Sequence, residues 1–479
     1  MKTALWWIRR DLRLADNPTL STALARAERV LPVFVLDPAV WPLPEVGEKR
    51  RAFFLGGLQE LETALRARGS YLVVREGEPL SALSALVRES GAEMIFAEAD
   101  GTPYGRARDA QVAASLPLSL LEGAGIRAPG TVLRKDGGPY TVYTPFKHAW
   151  RSLSLPLREE LLPAPERIST PAGIASTPLP VPPTLPGAVL FPPGEVEARR
   201  RLEAFVAKGI ARYAETRDRM DLSGTSELSP YLCFGMLSAR QAAVAALEAR
   251  EGPDAREGAQ VWLDELIWRE FYLHILYHFP DVVWESFREP LREIPWDNDT
   301  RAFAAWQEGL TGYPVVDAAM RQLRAMGWMH NRARMIVASF LTKDLLIDWR
   351  WGERYFMQQL MDGDLASNNG GWQWAAGTGT DAAPYFRIFN PVLQGEKFDP
   401  EGAYVRRWVG ELARVPDRYL QRPWTMPEEV QQEAGCVLGK DYPAPIVDHA
   451  WARERTLAAY RQAKTGQEKK ESAYEDVGS

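Results

Sequence analysis

The chain has 479 residues, of which 46% are hydrophobic and 25% charged, and this composition is typical of a globular protein with two or more domains. No run reaches the roughly 18 apolar residues of a membrane span and the N-terminus shows no secretory signal, so we expect a cytoplasmic protein without membrane contact. Two cysteines cannot form a disulfide framework, and with five histidines no structural metal site is expected.

The first part of the chain alternates between strand and helix patterns. Apolar, β-prone runs predict strands at 4–8, 30–36, 71–74 and 94–97, with helix-period patterns at 51–68 and 79–90. This alternation predicts an α/β domain over residues 1–127, with a parallel, Rossmann-like sheet covered by helices on both faces. No Gly-x-Gly-x-x-Gly follows the first strand, so dinucleotide binding there has no support.

A proline-rich segment separates this domain from the rest of the chain. Residues 156–193 hold 11 of the 36 prolines, a density that sustains neither helix nor sheet, and we predict an interdomain linker over 128–194. Beyond it a large all-helical domain is predicted over 195–464, followed by a polar tail, 465–479, that we expect to be disordered. The helix-period segments are 195–214, 236–250, 258–278, 299–310, 315–326, 330–346 and 353–361.

Tryptophan and charge are distributed unevenly. Ten of the 17 tryptophans fall between residues 262 and 374. They could simply fill a core, but indoles also stack on bases and flavins and conduct electrons, and the clustering favours such a role. The net charge of −6 argues against binding nucleic acid, yet residues 315–355 carry seven basic and four acidic side chains. A solvated helix face and a local DNA contact would both give that pattern.

Two segments of the helical domain could carry chemistry, and each also has a plain structural interpretation. Gly224–Gly235 gathers hydroxyl side chains in front of a helix, which suits either a bound diphosphate or an N-cap with a turn. In 261–276 the helical period places Glu265 between two indoles on an inward face, where a carboxylate is costly unless it is used. An ion pair of Glu265 with Arg269 is the ordinary alternative.

Two later segments also allow both a functional and a structural interpretation. Within 327–335, Asn331 and Met335 lie four residues apart, an arrangement that core packing would also explain. Residues 361–391 contain a glycine-rich turn between two helical stretches, with more polar groups than a surface loop needs. These groups could read the edge of a planar heterocycle; they are Asp362, Asp364, Asn368 and Asn369.

Long motifs along the chain occur in the order typical of one family. They are "WIRRDLRLADNPTL", "TSELSP", "WLDELIWREFY", "TGYPVVDAAMRQL", "GWMHNRARM", "DWRWGERYF" and the block from residue 362 to 390. Over nearly its whole length the chain therefore resembles the DNA photolyase/cryptochrome family, most closely the class I cyclobutane pyrimidine dimer photolyases.

The resemblance implies that the helical domain binds FAD in a bent form, active when reduced and anionic. Arg334 and Asp362 would pair beside the isoalloxazine, Asp364 would bond its pyrimidine edge, and Asn368 would face flavin N5. Plant cryptochromes carry Asp and animal cryptochromes Cys at the last position, so Asn indicates the repair branch. The implied cofactor-binding residues are Tyr213, Thr225, Ser226, Leu228, Ser229, Trp262, Arg334, Asp362, Asp364 and Asn368.

The resemblance also implies light-driven repair of cyclobutane pyrimidine dimers in UV-damaged DNA. Excited reduced flavin would pass an electron to a flipped-out dimer, whose two ring bonds split before the electron returns. Trp268 and Trp374 would form the apolar wall of the lesion pocket, and Glu265, Asn331 and Met335 would contact the dimer. Enzymes of the (6-4) type carry histidines at the positions of Asn331 and Met335, which favours dimer repair.

Two further sets of residues match family positions. Arg217, Arg332, Arg387 and Lys397 match positions that grip DNA phosphates, as sequence-independent binding requires. Trp372, Trp349 and Trp296 match the chain of indoles that carries electrons from the surface to photoreduce the flavin.

The N-terminal domain is expected to bind a light-harvesting antenna. Folate-using members have Asn-Glu before "RARD", whereas this chain has Tyr104 and Gly105 there. The stretch 100–109 instead resembles deazaflavin-binding members, with Asp100 and Arg50 as contacts. A deazaflavin or a flavin is therefore expected in preference to folate.

Two other functional classes stay open at this stage. A cryptochrome-like blue-light photoreceptor would use the same fold and flavin to signal through a partner, but Asn368, the lesion-wall tryptophans and the absence of a long C-terminal extension count against it. A helical DNA-binding scaffold without cofactor would leave the acidic turn unexplained. We expect a monomeric carbon–carbon lyase that repairs pyrimidine dimers.

Overall fold

The computed structural model describes residues 1–41, 43, 46–185 and 191–477, with side chains as far as Thr465. The chain divides into two compact units. The first comprises Met1–Glu215, Thr225–Pro280 and Leu360–Ser367, and the second comprises Thr216–Gly224, Asp281–Gln359 and Asn368–Ser479. Each unit thus combines segments that are distant in sequence, and the domain boundaries proposed above stay predictions.

The first unit contains a five-stranded parallel sheet. Its strands are β1 (Thr3–Ile8), β2 (Arg29–Leu36), β3 (Val73–Glu76), β4 (Met94–Glu98) and β5 (Leu118–Leu121). Their order is β3-β2-β1-β4-β5, and every residue of the central β1 is buried, as expected for a parallel strand covered on both faces. The predicted α/β class is confirmed; β3 begins two residues later than predicted, and no sequence pattern predicted β5.

Ten α-helices lie among the described residues up to residue 278. They are α1 (Pro18–Arg26), α2 (Glu48–Arg66), α3 (Pro79–Ser90), α4 (Pro103–Ala113), α5 (Tyr143–Ser152), α6 (Glu195–Lys208), α7 (Tyr213–Thr216), α8 (Ser229–Cys233), α9 (Ala239–Ala249) and α10 (Arg256–His278). Local sequence explains several starts: Asn17 accepts a hydrogen bond from the Leu20 N–H at the N-terminus of α1, and proline occupies the first turn of α1, α3 and α4.

The proline-rich connector runs beside the sheet. The Thr177 N–H donates to the Val74 carbonyl at 3.0 Å, and the Val74 N–H donates to Ser176 Oγ at 2.9 Å. Helix α5 falls inside the predicted linker, before the prolines, and a short 3-10 turn covers Arg158–Glu160. Residues 186–190 of the predicted linker lie outside the described residues.

The second unit is helical, as predicted. Its helices are α11 (Thr300–Glu308), α12 (Pro314–Met326), α13 (Asn331–Ser339), α14 (Trp349–Gln359), α15 (Leu365–Ala376), α16 (Pro391–Phe398), α17 (Ala403–Trp408), α18 (Asp417–Leu420), α19 (Glu428–Ala434) and α20 (His449–Val477). The first three residues of α15 belong to the first unit.

Two boundaries in this part of the chain differ from expectation. The helix predicted at 330–346 ends at Ser339 and continues as a π-helical turn over Phe340–Asp344, whose residues are buried. The tail expected to be disordered overlaps the end of α20, which runs to Val477. Among the residues that the structure describes, no helix is long and apolar enough to cross a membrane.

Candidate functional site

Two acidic residues of the predicted flavin site lie on the turn that precedes α15. Asp362 and Asp364 are both buried. The Ser367 N–H donates to Asp364 Oδ1 at 3.0 Å, and Arg10 Nη1 lies 3.4 Å from Asp364 Oδ2. Arg10, Asp364 and Arg269 also line a cavity of about 20 Å³ within the first unit, which has room for one water.

The charge of Asp364 is determined by these neighbours. Burial would raise the pKa of this carboxyl, but the guanidinium groups of Arg10 and Arg269 outweigh burial and hold the pKa below its usual range. Asp364 is therefore a stable carboxylate at neutral pH. A carboxylate only accepts hydrogen bonds, which suits the N3–H of an isoalloxazine ring.

The same turn is held by an arginine that was predicted to contact the antenna. Arg50 is buried, and its Nε donates to the Leu360 carbonyl at 3.1 Å. A Cβ at Gly363 would lie 1.7 Å from Arg50 Nη2, so any larger residue here would displace the Arg50 guanidinium. Arg50 thus supports the acidic turn, a contact that the sequence did not predict because the two segments are 310 residues apart.

The hydroxyl-rich segment forms a turn in front of α8. Thr225 and Ser226 are partly exposed, whereas Leu228 is buried. Glu227 adopts a φ of 53°, a left-handed conformation that is uncommon for a side chain of this type. Ser229 is exposed and begins the five-residue helix. The hydroxyls remain compatible with both interpretations, a diphosphate contact or a capped turn.

Two aromatic members of the predicted cofactor set lie in the core of the first unit. Tyr213 and Trp262 are buried, and their ring centres lie 5.6 Å and 5.0 Å from that of Phe205. Their packing against one phenylalanine gives both rings a structural role in positioning α10 and the segment around residue 213.

Asn368 lies on α15 in the second unit, where Glu353 of α14 holds its amide. Asn368 Nδ2 donates to the Glu353 backbone carbonyl at 3.1 Å and to Glu353 Oε1 at 2.8 Å. A backbone carbonyl can only accept, so the amide nitrogen must face Glu353. The amide oxygen therefore points away from Glu353 and can accept a hydrogen bond, such as the one that N5–H of a reduced flavin offers.

The sequence placed both asparagines in the glycine-rich turn, and this detail is wrong. Asn368 and Asn369 lie within α15, and Asn369 Nδ2 donates to the Val282 carbonyl at 2.9 Å. The glycines that suggested a turn, Gly370 and Gly371, are also helical. Tertiary contacts therefore override the low helix propensity of this sequence.

On α10, the predicted lesion-wall residue Trp268 stacks on Tyr143. The ring centres are 3.6 Å apart and the planes differ by 9°. The Tyr143 hydroxyl donates to the Asp264 carbonyl at 2.7 Å, which fixes the tyrosine ring against α10. One face of the Trp268 indole is therefore supported by Tyr143, and the side chain as a whole is only partly buried. Tyr143 lies in the predicted linker and was missed by the sequence reasoning.

The buried carboxylate of α10 is not the one that the periodicity indicated. Glu265 is partly exposed, whereas Glu270 is 5% exposed and accepts the N–H groups of Ile126 and Arg127, each at 2.9 Å. Burial raises the pKa of Glu270 despite these donors. Arg269 donates to the Ala124 carbonyl at 2.8 Å. Glu265, which was predicted on an inward face, is only partly buried, and its contact with the lesion stays a prediction.

In the second unit, α13 brings two predicted lesion contacts together. Asn331 is exposed, and its Nδ2 lies 3.8 Å from the sulfur of the partly buried Met335. Arg334 Nε donates to the Met329 carbonyl at 3.0 Å. Trp374 is partly exposed on α15. Trp268 and Glu265 belong to the first unit.

The three predicted electron-relay tryptophans all lie in the second unit and differ in burial. Trp372 and Trp349 are 2% and 1% exposed, and Trp296 is partly exposed. Trp349 Nε1 donates to Ser286 Oγ at 3.2 Å. The ring of Trp372 also lies 6.1 Å from that of Trp306, a fully buried tryptophan that the sequence reasoning did not select.

The four predicted DNA-phosphate contacts also belong to the second unit. Arg387 and Lys397 are exposed, and Arg217 and Arg332 are partly buried. Arg332 Nη2 lies 2.8 Å from Asp218 Oδ1. Because this carboxylate offsets the charge of Arg332, the two exposed cations are the better phosphate contacts.

Asp100, the other predicted antenna contact, follows the carboxyl end of β4. The N–H and Oγ1 of Thr102 donate to Asp100 Oδ1 at 3.0 and 2.8 Å. Burial opposes ionisation, but guanidinium groups, first that of Arg10, bring the pKa of Asp100 to about 2. Ligands of α/β sheets commonly bind at this edge.

Comparison with known proteins places these features in a family. The family described as the FAD binding domain of DNA photolyase matches residues 262–462, and the one described as DNA photolyase matches residues 4–166. The deoxyribodipyrimidine photo-lyase of Salmonella typhimurium is 46% identical over 486 residues, an alignment that covers 97% of this chain and 100% of the relative. This chain belongs to the DNA photolyase family.

Solved structures of photolyases and of a cryptochrome share the fold of this family member. A class III photolyase from Agrobacterium tumefaciens is 38% identical with a TM-score of 0.91, covering 97% of this chain and 98% of its own. The Synechocystis cryptochrome is 29% identical with a TM-score of 0.90, covering 96% and 99%. A Sulfolobus tokodaii photolyase with two FAD molecules is 31% identical with a TM-score of 0.81, covering 96% and 100%. The fold alone therefore does not separate repair from signalling.

Proposed function

We propose that this photolyase-family protein uses light and bound FAD to repair cyclobutane pyrimidine dimers in DNA. The observation that carries the proposal is the amide of Asn368, whose nitrogen is held by Glu353 so that its oxygen is left as an acceptor. That arrangement suits a reduced flavin, and the resemblance associates asparagine at this position with repair. The 46% identity to a photo-lyase, against 29% to a cryptochrome, supports the same choice.

Each unit, taken separately, contains side chains that suit contacts with FAD. Asp364 offers a carboxylate to the flavin pyrimidine edge, and Asn368 offers an oxygen to N5–H. Thr225 and Ser226 offer hydroxyl donors for a diphosphate. Arg334 and Asp362 stay proposed partners beside the ring. Bound FAD, once reduced and excited by light, supplies the electron for repair and recovers it, so the reaction has no net redox change.

The protein's own side chains would bind and polarise the dimer. Trp268, stacked on Tyr143, and Trp374 would present flat apolar surfaces to a flipped-out dimer, which pairs poorly in the duplex and is easily extruded. Glu265 as the carboxylic acid and the Asn331 amide would donate hydrogen bonds to the pyrimidine carbonyls where negative charge develops, and this stabilises the charged species more than the resting dimer. Met335 would fill the remaining apolar space.

Binding to DNA and reduction of the flavin would use other groups of the second unit. Arg387 and Lys397 would contact phosphates without reading sequence, assisted by Arg217 and Arg332. Trp296, Trp349 and Trp372 would relay electrons inward. The increase in burial from Trp296 to the other two indoles is consistent with a path that begins at the surface.

A second chromophore is proposed for the first unit. The Asp100 carboxylate at the sheet edge suits a ring that offers an N–H or O–H donor, whereas Arg50, the other residue predicted to contact the antenna, binds the turn before α15. The S. tokodaii photolyase structure with two FAD molecules supports a flavin-type ring over folate. Absorbance of the isolated protein distinguishes deazaflavin, flavin and folate, because the three absorb at different wavelengths.

The decisive experiment is a repair assay with the purified protein. We expect reduced, illuminated protein to remove dimers from an oligonucleotide that contains them, and to leave them intact in the dark. Persistence of dimers under light with flavin bound would overturn the repair function and favour a photoreceptor.

Glu265→Ala tests the proposed lesion pocket. We expect repair per absorbed photon to fall by about threefold, because one of several hydrogen bonds to the dimer is lost, while flavin content stays normal. Glu265→Gln should retain most activity, and Glu257→Ala, an exposed glutamate on the same helix, should match the wild type. Loss of flavin from Glu265→Ala would show that this residue supports the cofactor instead.

A further inference from the structure

One arginine of the first unit contacts two carboxylates that were assigned to different chromophores. Arg10 follows β1 by two residues. Its Nη1 lies 3.4 Å from Asp364 Oδ2, and its Nη2 lies 3.7 Å from Asp100 Oδ1. Asp364 is the proposed contact of the flavin pyrimidine edge, and Asp100 is the proposed contact of the antenna. A single cation therefore lies between the two sites.

The Asp100 carboxylate is held in place independently of Arg10. Two donors of Thr102 bind its Oδ1, and Arg108 Nη2 lies 3.4 Å from its Oδ2. A Cβ at Gly105 would lie 2.1 Å from Asp100 Cγ, so the side chain packs directly on the backbone of α4. Asp100 cannot easily move toward or away from Arg10, which makes its charge a fixed influence on the guanidinium.

The Asp364 carboxylate is held in a similar way. The Ser367 N–H binds its Oδ1, which leaves Oδ2 for Arg10. Arg50 fixes the backbone of the same turn through the Leu360 carbonyl. With both carboxylates fixed, the planar guanidinium of Arg10 presents a different nitrogen to each acid, whereas an ammonium group would have to place one nitrogen between them.

The electrostatics agree with this geometry. Burial opposes the charge of each acid, yet Arg10 is the first of the cations that keep the pKa of both Asp100 and Asp364 low. The two carboxylates in turn raise the pKa of Arg10. Two cations, Arg10 and Arg269, act on Asp364. Arg10 is the one that also acts on Asp100.

We propose that Arg10 is a positioning residue that divides its charge between Asp364 and Asp100, so that the flavin site depends on the charge at the antenna site. The inference rests on the proposed function, because it takes Asp364 as a flavin contact. A change that neutralises Asp100 would leave Arg10 to act on Asp364 alone. The local potential at the flavin then becomes more positive, and the reduced, anionic flavin becomes easier to form.

A double-mutant cycle tests the coupling with two readouts that do not require repair activity: the dissociation constant for FAD and the midpoint potential of the bound flavin. Arg10→Gln should weaken FAD binding by about tenfold, less than the loss of a sole counter-ion because Arg269 remains. It should also lower the midpoint potential. Asp100→Asn should raise the potential in the wild-type background, and this shift should shrink at least about threefold in the Arg10→Gln background.

Two matched variants separate positioning from general loss of structure. Arg108→Gln removes another guanidinium that lies beside Asp100 without touching Asp364, and it should leave FAD binding within about twofold of the wild type. Arg10→Lys restores the positive charge but not the planar guanidinium with its separate nitrogens. It should therefore recover most of the FAD affinity while the coupling to Asp100 stays weak. Recovery by lysine excludes a folding defect as the cause of the Arg10→Gln effect.

The outcomes distinguish this inference from the proposed function. Equal FAD affinity and potential in Arg10→Gln and the wild type, or an Asp100→Asn shift that is the same in both backgrounds, would overturn the role of Arg10 even if the wild type repairs dimers. A wild-type protein that binds FAD but repairs no dimer would overturn the repair function, and the cycle could still show the coupling.

Discussion

Two buried carboxylates, Asp364 of the first unit and Asp317 of the second, are stabilised in opposite ways. In the first, Asp364 faces the guanidinium groups of Arg10 and Arg269, and its pKa is held below the usual range. Neighbouring Asp100 is likewise surrounded by arginines. Such groups stay charged at every pH at which the protein is expected to work.

In the second unit, the fully buried Asp317 is bound mainly by neutral donors. Its oxygens accept the N–H and O–H of Thr311, the N–H of Gly312 and the hydroxyl of Tyr442. Burial raises its pKa in spite of these bonds. Asp364, the proposed flavin contact, is supplied with cations, whereas Asp317, which organises the segment at residues 311 and 312, is held by well-directed neutral donors.

The largest expected effect comes from removing Asp317, which accepts these four hydrogen bonds. Asp317→Ala should lower the free energy of unfolding by about 3 kcal/mol or more, because it leaves several buried donors without an acceptor. Urea denaturation measures the loss. Asp317→Asn keeps one acceptor oxygen and should lose less. A loss below about 1 kcal/mol in the alanine variant would mean that the donors find other partners.

The second effect concerns Asp344, another buried acid of the second unit. Its Oδ1 lies 2.5 Å from His449 Nδ1, and burial raises its pKa from 3.8 to about 6. Because the folded pKa is the higher one, the stability from this group is present below pH 4 and is lost as the pH rises through 6. The loss amounts to at most about 3 kcal/mol.

Asp344→Asn removes this titration. The difference in unfolding free energy between the variant and the wild type should therefore shift in favour of the variant as the pH rises from about 4 to about 7. Urea denaturation at several pH values measures it, with Glu454→Gln, an exposed acid on the helix that begins at His449, as the control. A difference that does not change with pH would place the pKa of Asp344 near its ordinary value.

The smallest effect tests Glu353, which holds the amide of Asn368, the proposed flavin contact. Glu353→Leu removes one of the two acceptors that hold the Asn368 amide nitrogen, so that this nitrogen turns toward flavin N5 more readily and favours oxidised flavin. We expect the free energy of flavin reduction to change by about 1 kcal/mol, the value of one hydrogen bond, and the midpoint potential to shift accordingly. Spectroelectrochemistry measures it. Glu353→Gln keeps an acceptor oxygen and should resemble the wild type; the same potential in all three proteins would contradict the assigned amide orientation.

Much of the fold could be predicted because its signals are local. Apolar runs such as residues 4–8 mark buried strands, and the prolines mark the connector. The supports of the site could not be predicted, because they come from residues distant in sequence. Arg50 meets a turn 310 positions away, and Tyr143 stacks on Trp268 from the predicted linker.

Helical period also limited the prediction of the site. It could not decide whether Glu265 or Glu270 is buried, since the covering segment at residues 126 and 127 was not recognised as part of that surface. The position of Asn368 was predicted, but the direction of its amide depends on Glu353, which no motif singled out. Residue identity could be inferred from sequence, and the orientation of the group required the structure.

The connector beside the sheet has a consequence for how molecules of this protein behave toward one another. Strand β3 lies at an edge of the sheet, and an open edge can pair with a strand of another molecule. Ser176 and Thr177 occupy the N–H and the carbonyl of Val74 in that strand. The proline-rich chain thus covers part of this edge, which limits its pairing with a strand of another molecule.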